Sequence, residues 1–278
     1  MAQPFCQSNP PLGTLSTMRV GCVSYLNAKP LIDQLDQDAD VDVSFDVPAK
    51  LLAHLESGQV DIALCPVIDY HRALVPLKIV PVGGIGCEGS TLTVRLYSQR
   101  PLDTLTAVHV DADSHTSVAL LQVLMHQRYG RGVELIDYDA RQSPAQNPPP
   151  AMLLIGDKVV TDSPCAKAYP HQLDLGQAWQ DATGQPFVFA VWMARQDTDV
   201  KALAQRLTAL RLANAQRLDA IVKRYASDHG WPSDLAKQYL GTILRYTIGP
   251  REREAITHFF QCCQRWGLID AGDEVRLS

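Results

Sequence analysis

The sequence predicts an α/β protein of two lobes with a ligand cleft between them. Three observations carry that expectation. At 278 residues the chain exceeds the size at which one hydrophobic core is usual. Short apolar runs alternate with helical patterns, which implies parallel strands joined by right-handed crossovers. A middle segment carries strands of its own before the chain returns to helices, so one lobe is discontinuous. The expected bounds are residues 18–98 and 196–278 for lobe 1, residues 99–195 for lobe 2, and residues 1–17 as a flexible N-terminal extension.

Arg19 to Val23 reads as a short apolar strand, followed by the polar turn Ser24-Tyr25-Leu26-Asn27. Pro30 opens a helix through Leu35, since proline suits the first helical turn. Val41 to Phe45 alternates apolar and polar residues, as a half-exposed strand does. Pro48 to Ser57 is a short helix with Leu51, Leu52 and Leu55 on one face and Gly58 as its stop. Asp61 to Leu64 is a buried strand, stopped by Pro66. A second unit begins near Pro101: Ala107 to Val110 is a strand, Ser114 to Ser117 a polar turn. The helix Val118 to Tyr129 follows, with Val118, Leu121, Leu124 and Met125 at helical spacing and Gly130 as its stop. Residues 142–150 form a proline-rich loop, Met152 to Ile155 an apolar strand, and Pro186 to Ala194 a long uncharged strand. From Val200 the pattern is helical: one helix to about Tyr225, a second over Ser233 to Leu240, and a third over Arg251 to Trp266.

Hydrophobic residues make up 46% of the chain and aromatic residues 7%, a globular composition. The formal net charge of −5 and the lack of a lysine–arginine patch argue against nucleic acid as a partner. The cysteines, seven in number, include no Cys-x-x-Cys pair. Cys22 and Cys65 sit inside apolar strands, where cysteine acts as a small hydrophobe. A reducing compartment follows, with no disulfide or metal role. Met1 to Thr17 has neither a basic n-region nor an apolar stretch, so it does not read as a secretory signal. No segment approaches the roughly 20 apolar residues that span a bilayer. A soluble cytoplasmic protein with no membrane partner is the expectation.

Ligands of open parallel sheets bind beyond the carboxyl ends of the strands. That rule selects residues 24–27, 65–71, 86–93, 111–117 and 156–157. These loops hold hydroxyls, amides and glycines, with no Gly-rich phosphate motif and no His-x-x-x-His spacing, so no metal and no cofactor are expected. Ser114-His115-Thr116-Ser117 precedes a helix, where free N–H groups and the positive dipole end favour a carboxylate. Ser114 or Thr116 would also serve there as a simple cap. Asn27-Ala28-Lys29-Pro30 repeats the arrangement in the other lobe, and Asn27 is equally a turn residue. Two such helix ends across one cleft would suit a dicarboxylate. Gly83, Gly84, Gly86 and Gly89 lead into Ser90, Thr91 and Thr93; they either admit a ligand to the backbone or loosen a segment that crosses between lobes. Asp69, His71, Asp157 and Asp174 are the nearby acid–base groups, and each more often serves structurally. The residues alone describe an anion-binding two-lobed α/β protein.

The blocks VGCVSYLNAKPL, VDIALCPVIDYHR, DSHTSVALLQVL, LLIGD, LDLGQAWQDATGQPFVFAVWMAR and YTIGPREREAITHFF occur in one order, with a hydroxyl-rich stretch ending at Ser98. Together they resemble the chorismate dehydratases from Met18 to about Asp270. The resemblance implies the type II periplasmic-binding-protein fold, used for catalysis in the cytosol without a cofactor. It implies a lyase that removes water from chorismate to give 3-[(1-carboxyvinyl)oxy]benzoate, the first step of the futalosine route to menaquinone. It marks Asn27 and Thr93 as catalytic, Thr93 standing where the family commonly has serine. Thr116 and Ser117 match the pair that holds a carboxylate; Ser24, Tyr25, Ser90, Thr91, Gly156 and Asp157 complete the expected substrate contacts. His115 stands where the family usually has arginine, so a neutral histidine would donate one hydrogen bond there and binding would vary with pH. The Gly-Cys-Glu-Gly-Ser stretch replaces a Gly-Pro-Val type of sequence, and Ala151-Met152 lacks the usual acidic residue. Chorismate is the implied partner, and the protein is expected as a monomer or homodimer. A sister enzyme that makes a dihydroxynaphthoate has a different first loop. A solute-binding protein normally carries an export signal, and a regulatory domain a DNA-binding helix pair.

Overall fold

The computed structural model describes residues 17–111, 114–138 and 148–270, so the expected extension (except Thr17) and most of the proline-rich loop lie outside the described residues. β1 (Met18–Val23) leads through a 3-10 turn at Leu26–Ala28 into the four-residue α1 (Lys29–Ile32). β2 (Val41–Asp46), α2 (Pro48–Glu56) and β3 (Ile62–Pro66) follow. The leucines of α2 fall at helical spacing, so Leu51, Leu52 and Leu55 are all buried, each contributing about 2 kcal/mol. Next come β4 (Leu77–Cys87), β5 (Val94–Ser98), β6 (Ala107–Val110) and α3 (His115–Tyr129). β7 (Glu134–Asp137), β8 (Ala151–Ile155), α4 (Lys158–Thr161), β9 (His171–Asp174), α5 (Leu175–Thr183) and β10 (Phe187–Arg195) complete the middle of the chain. The last part holds α6 (Lys201–Ala215), α7 (Leu218–Tyr225), α8 (Ser233–Gln238), a π-helical turn at Tyr239–Ile243, β11 (Leu244–Arg245) and α9 (Pro250–Arg265).

The described strands form two sheets, ordered β11-β4-β10-β3-β1-β2 and β7-β6-β8-β5-β9. Both are mixed rather than parallel throughout. β1 runs parallel to β2 and β3, while β10 lies antiparallel between β3 and β4. β6 runs parallel to β7 and β8, while β5 lies antiparallel between β8 and β9. The antiparallel strands are the ones next to the chain crossings, and this shifts the lobe bounds read from the sequence. β5, expected in lobe 1, pairs in the second sheet; β10, expected in lobe 2, pairs in the first. The uncharged run of β10 is explained by its central place, with a neighbour on either side.

Gly83, Gly84 and Gly86 lie within β4, not in a loop. A Cβ on Gly84 would stand 2.5 Å from the Ala190 carbonyl oxygen, and one on Gly86 2.7 Å from that of Phe187. These glycines are therefore demanded by close pairing with β10, whose register shifts near Val188/Ala190 and Val191/Trp192. The expected helix over Val200 to Tyr225 is two helices. At the break Asn214 donates from Nδ2 to the Asp33 carbonyl oxygen at 3.0 Å. The Asp33 side chain, 2% exposed, accepts from Arg217 at 3.2 Å, Arg224 at 3.1 Å and the Tyr225 hydroxyl at 2.8 Å. A buried carboxylate needs such partners. The helix expected from Pro30 through Leu35 is only α1, since Gln34 turns to φ 73°. α3 begins at His115, three residues ahead of Val118.

No helix among the described residues is long and apolar enough to cross a membrane. Cys22, Cys65, Cys87, Cys262 and Cys263 are buried free thiols, and burial pushes Cys22 up to about 12. Gly84→Ala is expected to lower stability by about 1–3 kcal/mol, because a backbone carbonyl cannot give way as a side chain can. Thermal and urea unfolding of the variant would measure this, and an unchanged midpoint would contradict it.

Candidate functional site

A cavity lies between the two sheets. Val23, Pro66 and Ile155, which end β1, β3 and β8, form part of its wall, as the rule for strand carboxyl ends requires. The apolar side is Leu64, Ile85, Val94, Phe189 and Leu244. The polar side is Tyr25, Asn27, Thr91, Thr93, Ser114, Thr116, Ser117 and Tyr239. No Asp, Glu, His, Lys or Arg is among the described residues that line it.

Of the residues singled out in the sequence, Tyr25, Asn27, Thr91, Thr93, Thr116, Ser117 and Gly156 meet on this wall. Asn27 belongs to the 3-10 turn before α1, and its Oδ1 has no hydrogen-bond partner. Thr93 Oγ1 lies 2.7 Å from the Tyr239 hydroxyl. Gly156 has φ 68°, and its amide donates to the Thr93 carbonyl oxygen at 2.9 Å. It faces the Tyr25 ring, from which an added Cβ would stand 3.5 Å away.

Ser24, Ser90 and Asp157 do not line the cavity. Ser24 is exposed. Ser90 Oγ donates to Asp174 at 2.7 Å. Asp174 also accepts from the amides of Thr91 at 2.9 Å and Leu92 at 2.8 Å, and caps α5 through the Gln177 amide at 3.1 Å. This carboxylate holds Leu92 at φ 65°, a left-handed geometry that costs a non-glycine residue about 1–2 kcal/mol. Asp157 bridges the lobes: it accepts from the Leu26 amide at 3.3 Å and from Trp231 Nε1 at 2.9 Å, and lies 2.8 Å from His229 Nδ1.

At the α3 end neither reading of a simple cap holds. No side chain caps the helix; Ser114 Oγ donates to Ser117 Oγ at 2.8 Å, and Thr116 Oγ1 accepts from the Ile68 amide at 3.3 Å. The first-turn amides and these hydroxyls form the polar end of the cavity, where an anion is favoured. The other lobe offers no matching dipole, because α1 spans only four residues. His115 turns away from the cavity to Asp69, 2.7 Å from Nδ1 to Oδ1. Asp69 is fully buried, its Oδ2 lacks a partner, and burial raises its carboxyl above the usual range against the pull of His115. Burial lowers His71, which does not reach the cavity either. Sequence reasoning placed Ser114 at the anion-favouring helix end, where it lines the cavity, but missed Tyr239 altogether, for its place depends on the π-helical turn.

A family described as menaquinone biosynthesis matches residues 18–265. A chorismate dehydratase of Thermus thermophilus is 30% identical over 270 residues, spanning 86% of this chain and 93% of the relative. Among solved structures, a protein from Archaeoglobus fulgidus superposes with a TM-score of 0.73 at 14% identity, covering 93% of this chain and 100% of that one. The periplasmic aliphatic sulphonate binding protein of Escherichia coli superposes with a TM-score of 0.62 at 15% identity, covering 92% and 94%. The two sheets and their cleft are those of the periplasmic-binding-protein fold.

Asp69 has a consequence for stability. A carboxyl whose folded pKa is raised binds its proton more tightly folded than unfolded, so it subtracts stability as pH climbs through that window. Relative to the parent, Asp69→Asn should therefore gain thermal stability as the pH rises from about 4 toward neutrality. A difference in melting temperature that stays constant with pH would refute this.

Proposed function

The chain belongs to the menaquinone-biosynthesis family of chorismate dehydratases, and from that premise we propose that it dehydrates chorismate to 3-[(1-carboxyvinyl)oxy]benzoate in the cytoplasm. The observation that carries the mechanism is the cavity wall, where the described residues offer amides and hydroxyls but no acid or base beyond phenols. The reaction needs little more. The C3–H bond breaks and its electrons form the ring C3–C4 double bond. The C4–O bond breaks, hydroxide takes a proton and leaves as water, and aromatisation drives the step. A carboxylate of the substrate itself, that of the enolpyruvyl group, takes the C3 proton. Asn27 orients the substrate and hydrogen-bonds the departing hydroxyl, and Thr93 supports the same oxygen. Thr116, Ser117 and the open amides of α3 hold a carboxylate. Tyr25, Thr91 and Gly156 shape the remaining wall.

Incubating the protein with chorismate should release an aromatic product with its ultraviolet signature. Asn27→Ala should lose about 100–1,000-fold in kcat, as when one preorganised donor is removed, with the fold intact. Asp69→Asn and His71→Ala should keep turnover. If either abolished it while chorismate still bound, the substrate-assisted step would be wrong. Binding without product in the parent would instead favour a non-catalytic anion-binding protein.

A further inference from the structure

Thr91 and Thr93 both line the cavity and are buried. Between them Leu92 stands at φ 65°, and the Thr93 amide donates to the Thr91 carbonyl oxygen at 2.7 Å. A bond from residue i+2 back to residue i across a positive φ makes the rare, strained form of the γ-turn. The later side of this turn is anchored by the second lobe and by the π-helical turn. The Thr93 carbonyl oxygen accepts from the Gly156 amide, and Thr93 Oγ1 meets the Tyr239 hydroxyl, whose ring stacks on Trp231 at 4.7 Å between centroids. The earlier side is gathered by Asp174, which ends β9 opposite Arg95 and caps α5. Its two carboxylate oxygens divide the loop between them. Oδ1 accepts from the amides of Thr91 and Gln177, and Oδ2 accepts from the Leu92 amide and Ser90 Oγ. The loop also lies directly on the first turn of α5: a Cβ on Gly176 would stand 2.7 Å from the Gly89 carbonyl oxygen and 3.1 Å from Thr91 Cβ.

We infer that Asp174 is a positioning residue for the dehydration, whose carboxylate holds Leu92 left-handed and so sets the Thr91 and Thr93 hydroxyls on the cavity wall. Asp174 does not line the cavity itself, so its effect on turnover passes through those two residues. The task needs an acceptor at both oxygens. In asparagine one oxygen becomes an NH2 group, in a side chain of the same size. Whichever way that amide turns, the N–H of Thr91 or of Leu92 faces a donor, and one of the two bonds that fasten the turn is lost. The Arg95 pair, 3.6 Å from Oδ2, adds charge but no such direction.

The inference rests on the proposed dehydration, and a spectroscopic measurement separates the two. In kinetics, Asp174→Asn should lower kcat by about 10–100-fold. KM for chorismate should stay within about threefold, since the carboxylate end at α3 is untouched. Glycine takes positive φ without strain, so adding Leu92→Gly should recover about fivefold or more of the loss. An unchanged kcat with a lower melting temperature would reduce Asp174 to a helix cap, and a loss that Leu92→Gly leaves in place would have another cause; either result overturns the inference. Should Asp174→Asn not fold, Leu92→Ile carries the test, because a β-branched residue resists positive φ. Its kcat should fall about tenfold below that of Leu92→Gly, and equal values would overturn the inference. In proton spectra, the Leu92 amide should be protected from exchange in the parent and lose protection in Asp174→Asn, with the Thr93 signals shifted. Thr93 signals that stay in place would overturn the inference as well. A parent that shows these changes yet leaves chorismate untouched would sink the proposed function and keep the role of Asp174 in placing the wall.

Discussion

The carboxylate of Asp157 is the interaction on which the closed cleft depends. It sits just past β8 in the second sheet, yet its acceptors are filled from the first lobe, by the Leu26 amide and by His229 and Trp231 beyond α7. A half-buried charge held by several donors is stable only while all of them are present. The turn that carries Asn27, the wall that carries Gly156, and the indole against which Tyr239 rests are therefore fixed together. The opposite side of the cleft is fastened by lighter means, through Ile68 to Thr116 and Asp69 to His115.

Several features in and around the cavity cost stability. Leu92 is held at positive φ, α3 has no cap, and Asn27 Oδ1 and Asp69 Oδ2 are buried without partners. Such features persist where the surroundings over-determine them, and they concentrate at functional sites. Here Asp174 supplies much of that determination for the 90–93 loop, with three bonds into it.

Elements governed by local period were legible in the sequence. Leu51, Leu52, Leu55 and the stop at Gly58 gave α2 nearly to the residue, and Ala107 to Val110 is β6 as read. β4 was not legible, because Gly83, Gly84 and Gly86 lower strand propensity and only the pairing with β10 reveals why they are there. In the site, Asn27, Thr93, Thr116, Ser117 and Gly156 fell in loops that the strand-end rule selects, and it was the family resemblance that singled out Asn27 and Thr93 among them. The protein partners of Asp157 were not legible, because the groups that take it up lie 72 and 74 residues further along. Tyr239 had no signal, since neither a π-helical turn nor a stack on Trp231 has a sequence period.

The insertion of β10 between β3 and β4 also orders events during synthesis. β1, β2 and β3 leave the ribosome as a parallel unit, and β4 follows, but β4 has no described partner among them. The whole second sheet, β5 to β9, is made before the strand that unites the first. The nascent chain can thus close its later half while the earlier one still waits with open edges. Those edges are apolar, and exposed strand edges invite pairing with other chains. The period between the emergence of β4 and that of β10 is when this protein is most exposed to misassembly.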